Sequence, residues 1–291
     1  MTYDIDGTAV YCETIGAGMP LIALHGWGVD HRLMSGCLEP AFASEGARLP
    51  YRRFYPDLPG MGRSPADPRI NGSDAMLDLV ASFADAVAPD GPFLLAGESY
   101  GGYLARALVR RMPERVAGLL LIAPAVSPRP AGGGRRDNVP ERSVVFEDRD
   151  LLARMGGGNR KAFAEMGVRL TEDAWRRYSA DVLPGIKAAD RQYLSDVLGK
   201  KSALGADPDQ DAPLFGKPSL FVAGRQDSVV GYRPLWSLLE TYPRATYAVL
   251  DGAGHNLQTE RVRAFEALVA DWLERVEEER ITEKRLLEGL A

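Results

Sequence analysis

The residues best placed to do chemistry begin with Gly97-Glu98-Ser99-Tyr100-Gly101, followed by Gly102. A serine with glycine two positions away on either side suits a bend too tight for side chains there, which would collide with each other or with neighbouring backbone. The hydroxyl then stands clear of the chain and can act as a nucleophile once a base takes its proton. The pentapeptide alone is a weak signal, and its setting strengthens it. The apolar run Phe93-Leu-Leu-Ala96 predicts a strand directly before it, and a helix is predicted from Tyr103 to Arg111, stopping at Pro113. N–H groups at the positive end of such a helix favour an anion at the bend.

A serine needs a base, and the chain has only three histidines. His25, in His25-Gly26-Trp27-Gly28, reads as a residue that holds its loop. His31 follows Val29-Asp30 where a helix should start, and its default reading is surface or pocket rim. His255 lies in Asp251-Gly-Ala-Gly-His255, a glycine-rich turn after the last predicted strand, from which an imidazole can swing over a serine. His255 is therefore the candidate base. Asp227, at the end of Ala223-Gly-Arg-Gln-Asp227, is the candidate carboxylate that fixes the imidazole tautomer and steadies the imidazolium. Asp251 is its rival, closer in sequence to the histidine. The loop after Leu24 can aim a backbone N–H, that of Trp27, at the oxygen that becomes negative during attack, with the N–H of Tyr100 as second donor. These residue types point to acyl transfer without a metal or organic cofactor.

The elements that must position these residues form short apolar runs alternating with helical stretches. Leu21-Ile-Ala-Leu24, Arg52-Arg-Phe-Tyr-Pro56, Phe93 to Ala96, Leu119-Leu-Leu-Ile122, Ser219-Leu-Phe-Val222 and Thr246-Tyr-Ala-Val-Leu250 read as strands, with Thr8 to Thr14 as an antiparallel lead-in. Helices are predicted from Asp74 to Val87, with Ser73 as N-cap, and from Pro234 to Tyr242. The alternation predicts an α/β fold with a mostly parallel sheet and helices on both faces. Between about Ser127 and Pro213 no strong strand run occurs. That region opens with a Pro/Gly/Arg-rich stretch to Arg136, read as a mobile loop, and continues with helical segments, one capped by Thr171 with Glu172 and Asp173 in its first turn. An all-helical insertion there would cover the strands' carboxyl ends as a lid. The expected organisation is thus a core from 1–126, a lid from 127–213 and a second core part from 214–291. Phe163, Met166, Trp175 and Tyr178 in the lid are candidates to wall an apolar substrate pocket, although residues at such helical spacing more often form the lid's own core. After Glu260 a long helix is expected, with Val269, Trp272, Leu273 and Val276 as a stripe against the sheet and Glu277-Glu-Glu-Arg280 as a solvated face.

Bulk properties narrow the function classes. With 291 residues, 45% hydrophobic and 26% charged, the chain can bury a large core. A net charge of −5 disfavours nucleic acid as a partner. No apolar run reaches the ~20 residues of a membrane span, and the first residues lack the features of a secretory signal. Cys12 and Cys37 read as small buried hydrophobes, and no Cys/His cluster has metal-ligand spacing, which together point to a cytoplasmic protein.

The combination resembles the α/β-hydrolase superfamily. It is carried by His25 to Gly28, Asp57-Leu-Pro-Gly-Met-Gly-Arg-Ser64, Gly97 to Gly101, Gly224 to Asp227 and Gly254-His255, in the chain order serine, aspartate, histidine. The resemblance implies a mostly parallel eight-stranded sheet and a helical cap after the sixth strand. Members with serine at the bend include carboxylesterases, lactonases, lipases, carbon–carbon bond hydrolases and prolyl aminopeptidases. Ser99 speaks against the dehalogenases and epoxide hydrolases, which carry aspartate there, and Tyr100 stands where the aminopeptidases usually have tryptophan. The expectation is a serine hydrolase acting on a small ester or lactone. Carbon–carbon or peptide cleavage is the alternative, and a non-catalytic small-molecule receptor the remote one.

Overall fold

The computed structural model describes residues 1–43, 50–89, 91–127 and 139–289. The chain opens with β1 (Thr2–Ile5), β2 (Thr8–Gly16) and β3 (Met19–Leu24), then α1 (Arg32–Ala43), β4 (Tyr51–Pro56), α2 (Ser73–Val87), β5 (Phe93–Glu98), α3 (Ser99–Arg111) and β6 (Val116–Ile122). A segment with β7 (Phe146–Glu147), α4 (Arg149–Arg154), α5 (Gly157–Met166), β8 (Arg169–Leu170), α6 (Glu172–Arg177), a π-helical turn (Tyr178–Val182), α7 (Leu183–Ala188) and α8 (Arg191–Asp196) follows. The chain then returns through β9 (Ser219–Gly224), a 3-10 helix (Arg233–Glu240), β10 (Ala245–Leu250), α9 (Leu257–Glu260) and α10 (Val262–Leu287).

Eight strands form one sheet in the order β1-β2-β4-β3-β5-β6-β9-β10. β1 and β2 are joined antiparallel and β2 lies antiparallel to β4, while every pair from β4 to β10 is parallel. Strands β5 and β9 are buried along their whole length, which is why they read as continuous apolar runs instead of alternating ones. α10 closes one face with Phe265, Val269, Trp272, Leu273 and Val276, all buried, and the Trp272 indole donates to the Pro218 carbonyl at 3.1 Å. Cys12 and Cys37 are buried free thiols, both pushed up in pKa by burial. Among the described residues no helix is long and apolar enough to cross a membrane.

Several local expectations change. α3 starts at Ser99 itself, four residues before Tyr103, so strand and helix meet at the serine with no linker. Ser73 is the first residue of α2 and not its cap; Gly72 precedes the helix, and the Ser73 hydroxyl donates to the Ser202 carbonyl at 2.7 Å. The stretch after Tyr232 is a 3-10 helix from Arg233 to Glu240. Residues 139–213 are not all-helical, since β7 and β8 pair in parallel. Thr171 does cap α6, accepting from the Ala174 N–H at 3.2 Å. The Glu277 side chain is not solvated: it is 4% exposed and accepts from the Tyr51 hydroxyl at 3.3 Å. Of the expected mobile loop, Pro128 to Arg136 lies outside the described residues.

Candidate active site

Strand register places the site. β3 and β5 align Leu24 with Gly97, so His25-Gly26, just past β3, lies beside Glu98-Ser99, where β5 ends and α3 begins. β9 and β10 align Gly224 with Leu250, so the turns carrying Asp227 and His255 leave the same edge together. Between these strand pairs only β6 intervenes. Parallel strands deliver all four chain crossings to one end of the sheet, where open α/β folds bind ligands.

At that edge Ser99 has φ +50°, a left-handed backbone that a side-chain-bearing residue adopts only under constraint. The constraint is visible in its glycine neighbours. A Cβ on Gly97 would meet the Gly101 backbone, and one on Gly101 would run into the Leu24 carbonyl. Only glycine lets β5 turn into α3 this sharply, with the new helix pressed against β3.

The His255 Nε2 stands 3.0 Å from the Ser99 Oγ and its Nδ1 2.9 Å from Asp227 Oδ2. The other Asp227 oxygen accepts from the N–H groups of Val229 and Val230 at 2.8 and 3.0 Å. Burial alone would raise this carboxyl; the adjoining imidazole and the two N–H groups outweigh burial and hold it below the usual range, so it stays ionised. Asp251, the alternative, is exposed and accepts from the Gln226 side chain at 2.9 Å.

Trp27 follows Gly26 past the end of β3, and its ring meets the Tyr100 ring edge-on at 5.2 Å. Tyr100 is the second residue of α3, so its N–H belongs to the first turn, which has no acceptor within the helix. The two residues expected to supply donors thus lie in contact with each other, Tyr100 directly after Ser99. His25 is buried; its Nε2 accepts from the Leu58 N–H at 3.0 Å and its Nδ1 meets the Gly26 carbonyl at 2.8 Å. One nitrogen accepting and one donating describes a neutral ring, in keeping with the fall in pKa that burial imposes.

His31 departs from expectation. It is 4% exposed, and its Nδ1 donates to Asp57 Oδ1 at 2.8 Å, so it is neither surface nor rim. Asp57 also accepts from the backbone N–H groups of His31 and Arg63, while neighbouring Asp30 pairs with Arg32. Asp30, His31 and Asp57 bring potential metal-ligand atoms within 4.8 Å, but their carboxylate oxygens are already committed to these donors. The trio ties the Asp57 loop to the start of α1.

The four aromatic and apolar candidates of the insertion divide. Phe163 and Tyr178 are buried, with ring centroids 5.4 Å apart, and Trp175 lies 5.4 and 6.2 Å from them. These three rings meet one another, as a local core does. Met166 is half-buried and its carbonyl approaches Gly254, next to His255.

The profile of the alpha/beta hydrolase family matches residues 21–269. The chain belongs to this family. Among family relatives it is 28% identical over 281 residues to a 2-hydroxymuconate semialdehyde hydrolase of a Pseudomonas species, covering 89% of this chain and 88% of the relative. It is 29% identical over 258 residues to a pimeloyl-[acyl-carrier protein] methyl ester esterase of Aeromonas hydrophila, covering 85% and 92%. An alpha/beta superfamily hydrolase structure from Oenococcus oeni superposes with a TM-score of 0.83 at 24% identity, over 95% of this chain and 99% of that one, and so shares the fold.

Two residues of this hydrolase site escaped the sequence reading. Glu98 is 3% exposed, and its Oε1 lies 3.4 Å from His255 Nε2. A signal existed: it is the one ionisable residue in the otherwise apolar run of β5. Glu260, at the end of α9, accepts from the Gly254 N–H at 2.6 Å and from the N–H groups of Val168 and Arg169 at 2.5 and 3.1 Å. It fastens the histidine's turn to β8, a contact spanning over ninety residues that no local pattern announces.

Proposed function

We propose that the protein is a serine hydrolase of small esters or lactones that works through an acyl-enzyme. The observation that carries this reading is the continuous hydrogen-bonded row from Ser99 Oγ through the His255 ring to Asp227. His255 Nε2 takes the proton as Ser99 Oγ attacks the carbonyl carbon. The backbone N–H groups of Trp27 and Tyr100 receive the oxygen that gains charge. The protonated imidazole, held in place by ionised Asp227, then gives its proton to the departing oxygen, which leaves an ester on Ser99. Water, deprotonated by the same nitrogen, releases the acid. The segment 127–213 acts as a lid over this edge, with Glu260 linking it to the histidine's turn.

A second reading has support in the likeness to the 2-hydroxymuconate semialdehyde hydrolase. The same serine, histidine and donor pair would serve cleavage of a carbon–carbon bond next to a ketone. A panel of short- and long-chain nitrophenyl esters beside a vinylogous diketone, run with Ser99→Ala, separates the two. Ester turnover that is lost in Ser99→Ala supports the first reading. Turnover of the diketone alone supports the second. A burst of nitrophenol without turnover would point instead to a receptor that retains an idle site.

A further inference from the structure

The His255 ring has two carboxylates, not one. Asp227 occupies the Nδ1 side at 2.9 Å, and Glu98 Oε1 occupies the Nε2 side at 3.4 Å, the side that faces Ser99. Glu98 is also built into the loop after β3. Its carboxylate accepts the Gly26 N–H, and its Oε2 fills the space in which a Gly26 Cβ would sit. Gly26 directly precedes Trp27, and a Cβ added to it would also come within 3.1 Å of the Ser99 Cβ. One buried side chain thus touches the reacting nitrogen of the histidine and the loop that carries one of the two proposed oxyanion donors.

We propose that Glu98 is a positioning residue with a charge of its own to contribute: it shares one proton with His255, steadies the imidazolium formed when Ser99 is deprotonated, and holds the Gly26-Trp27 loop against the serine. The proposal rests on the serine-hydrolase reading for its catalytic meaning, but not for the proton sharing, which is a property of the resting site.

The charges facing Glu98 set the direction of the effect. From the turn after β10 comes His255, and from the loop after β9 comes Asp227, whose ionised carboxylate repels a second negative charge. From the end of β3 comes the Gly26 N–H, and from α1 the Cys37 thiol, which burial keeps neutral. Burial pushes the Glu98 carboxyl up to about 7; His255 and the Gly26 N–H pull against the rise, and Asp227 adds to it. On this proposal the proton between Glu98 Oε1 and His255 Nε2, 3.4 Å apart, is carried by either partner, and the two titrate as a unit. While the pair holds that proton the ring is either blocked or faced by a neutral carboxyl; once the pair has lost it, the ring is free to receive the serine proton and Glu98 carries the charge that steadies the imidazolium. An anion this close to an imidazolium raises the ring's pKa, so removing it lowers the pH at which the base becomes free.

Glu98→Gln keeps the shape and an acceptor for Gly26 and removes only the charge. The acid limb of kcat/KM for nitrophenyl acetate is expected to move to lower pH by roughly one unit, with a plateau lowered by about tenfold. Glu98→Asp, which restores a carboxylate, should return the limb toward its original position. A limb that stays in place in Glu98→Gln, whatever happens to the plateau, would overturn the proposal. If Glu98→Gln does not fold, the unaltered protein still decides the matter: carbon-13 and nitrogen-15 signals of the Glu98 carboxyl and the His255 ring should share their titration midpoints, and independent midpoints would refute the sharing. The same titration in Ser99→Ala keeps the two readings apart. Shared midpoints in a Ser99→Ala protein that still cleaves esters would sink the serine mechanism and leave the Glu98–His255 unit standing.

Discussion

Between Gly97 and Gly101 the geometry is set by the residues themselves, whereas residues 139–213 are held by side chains that arrive from far along the chain. At the sheet edge, glycines at two fixed positions and a serine at φ +50° make a bend with one solution, and parallel register carries it to His255 and Asp227. In the inserted segment the restraints are long polar arms. The buried Arg106 of α3 donates to the carbonyls of Ala125 and Val126, just after β6, and pairs with Asp209, just before β9. Arg110, one turn on, donates to the carbonyls of Asp207 and Gln210 at 2.6 and 2.7 Å. The Tyr193 hydroxyl of α8 donates to the Ile70 carbonyl at 2.5 Å, and the Leu204 N–H to the Tyr103 hydroxyl at 3.1 Å. α3 therefore serves both regions: its first residue is the nucleophile candidate, and its later arginines gather the two ends of the insertion. The edge is thus fixed by local backbone geometry, and the inserted segment by hydrogen bonds that reach it from α3 and from Ile70.

The comparison can be broken at either side. The largest effect is expected at the edge: Asp227→Asn, which keeps the side chain's shape, should lower kcat by about 10⁴-fold while the urea midpoint moves little. A loss of only a few fold would show that the ring is oriented by something other than Asp227. Next comes Arg106→Leu. Burial pulls this guanidinium down to about 10, still charged at neutral pH, and its loss strands two carbonyls and the Asp209 carboxylate. Unfolding should become easier by about 3 kcal/mol, read from the urea midpoint, and protease cleavage should concentrate near residues 205–213. Uniform destabilisation without new cleavage there would say that Arg106 supports the core and not the insertion. The smallest effect is Tyr193→Phe, which removes one hydroxyl and should cost about 1 kcal/mol, with KM for long-chain esters changing more than kcat. An unchanged KM would detach α8 from substrate access.

The same contrast explains what was legible in the sequence. Ser99, His255 and Asp227 could be named because each lies in a short glycine-bearing turn just past an apolar strand, and both features are local. The strands could be read because burial on two faces leaves continuous apolar runs, as in Phe93 to Ala96. Glu98 could not be assigned a role, since its partner lies across the sheet, and His31 was misplaced because Asp57, which buries it, arrives from another loop. Ser73 resembled a cap in sequence, yet its hydroxyl is drawn to Ser202 by packing that only the fold supplies. The two-stranded pairing of β7 and β8 joins segments too short for any periodicity to register. Patterns within a few residues were readable; contacts across tens of residues were not.

In the proposed reaction the Ser99 hydroxyl, activated by His255, is the group that attacks. This step is tested most directly by exposing the protein to a fluorophosphonate that modifies activated serines and mapping the adduct by mass spectrometry. A single adduct on Ser99, absent in Ser99→Ala and formed at least a hundredfold more slowly in His255→Ala (~2.7 kcal/mol of barrier), is the predicted result. Labelling at another residue, or labelling of Ser99 at the same rate without His255, would contradict it.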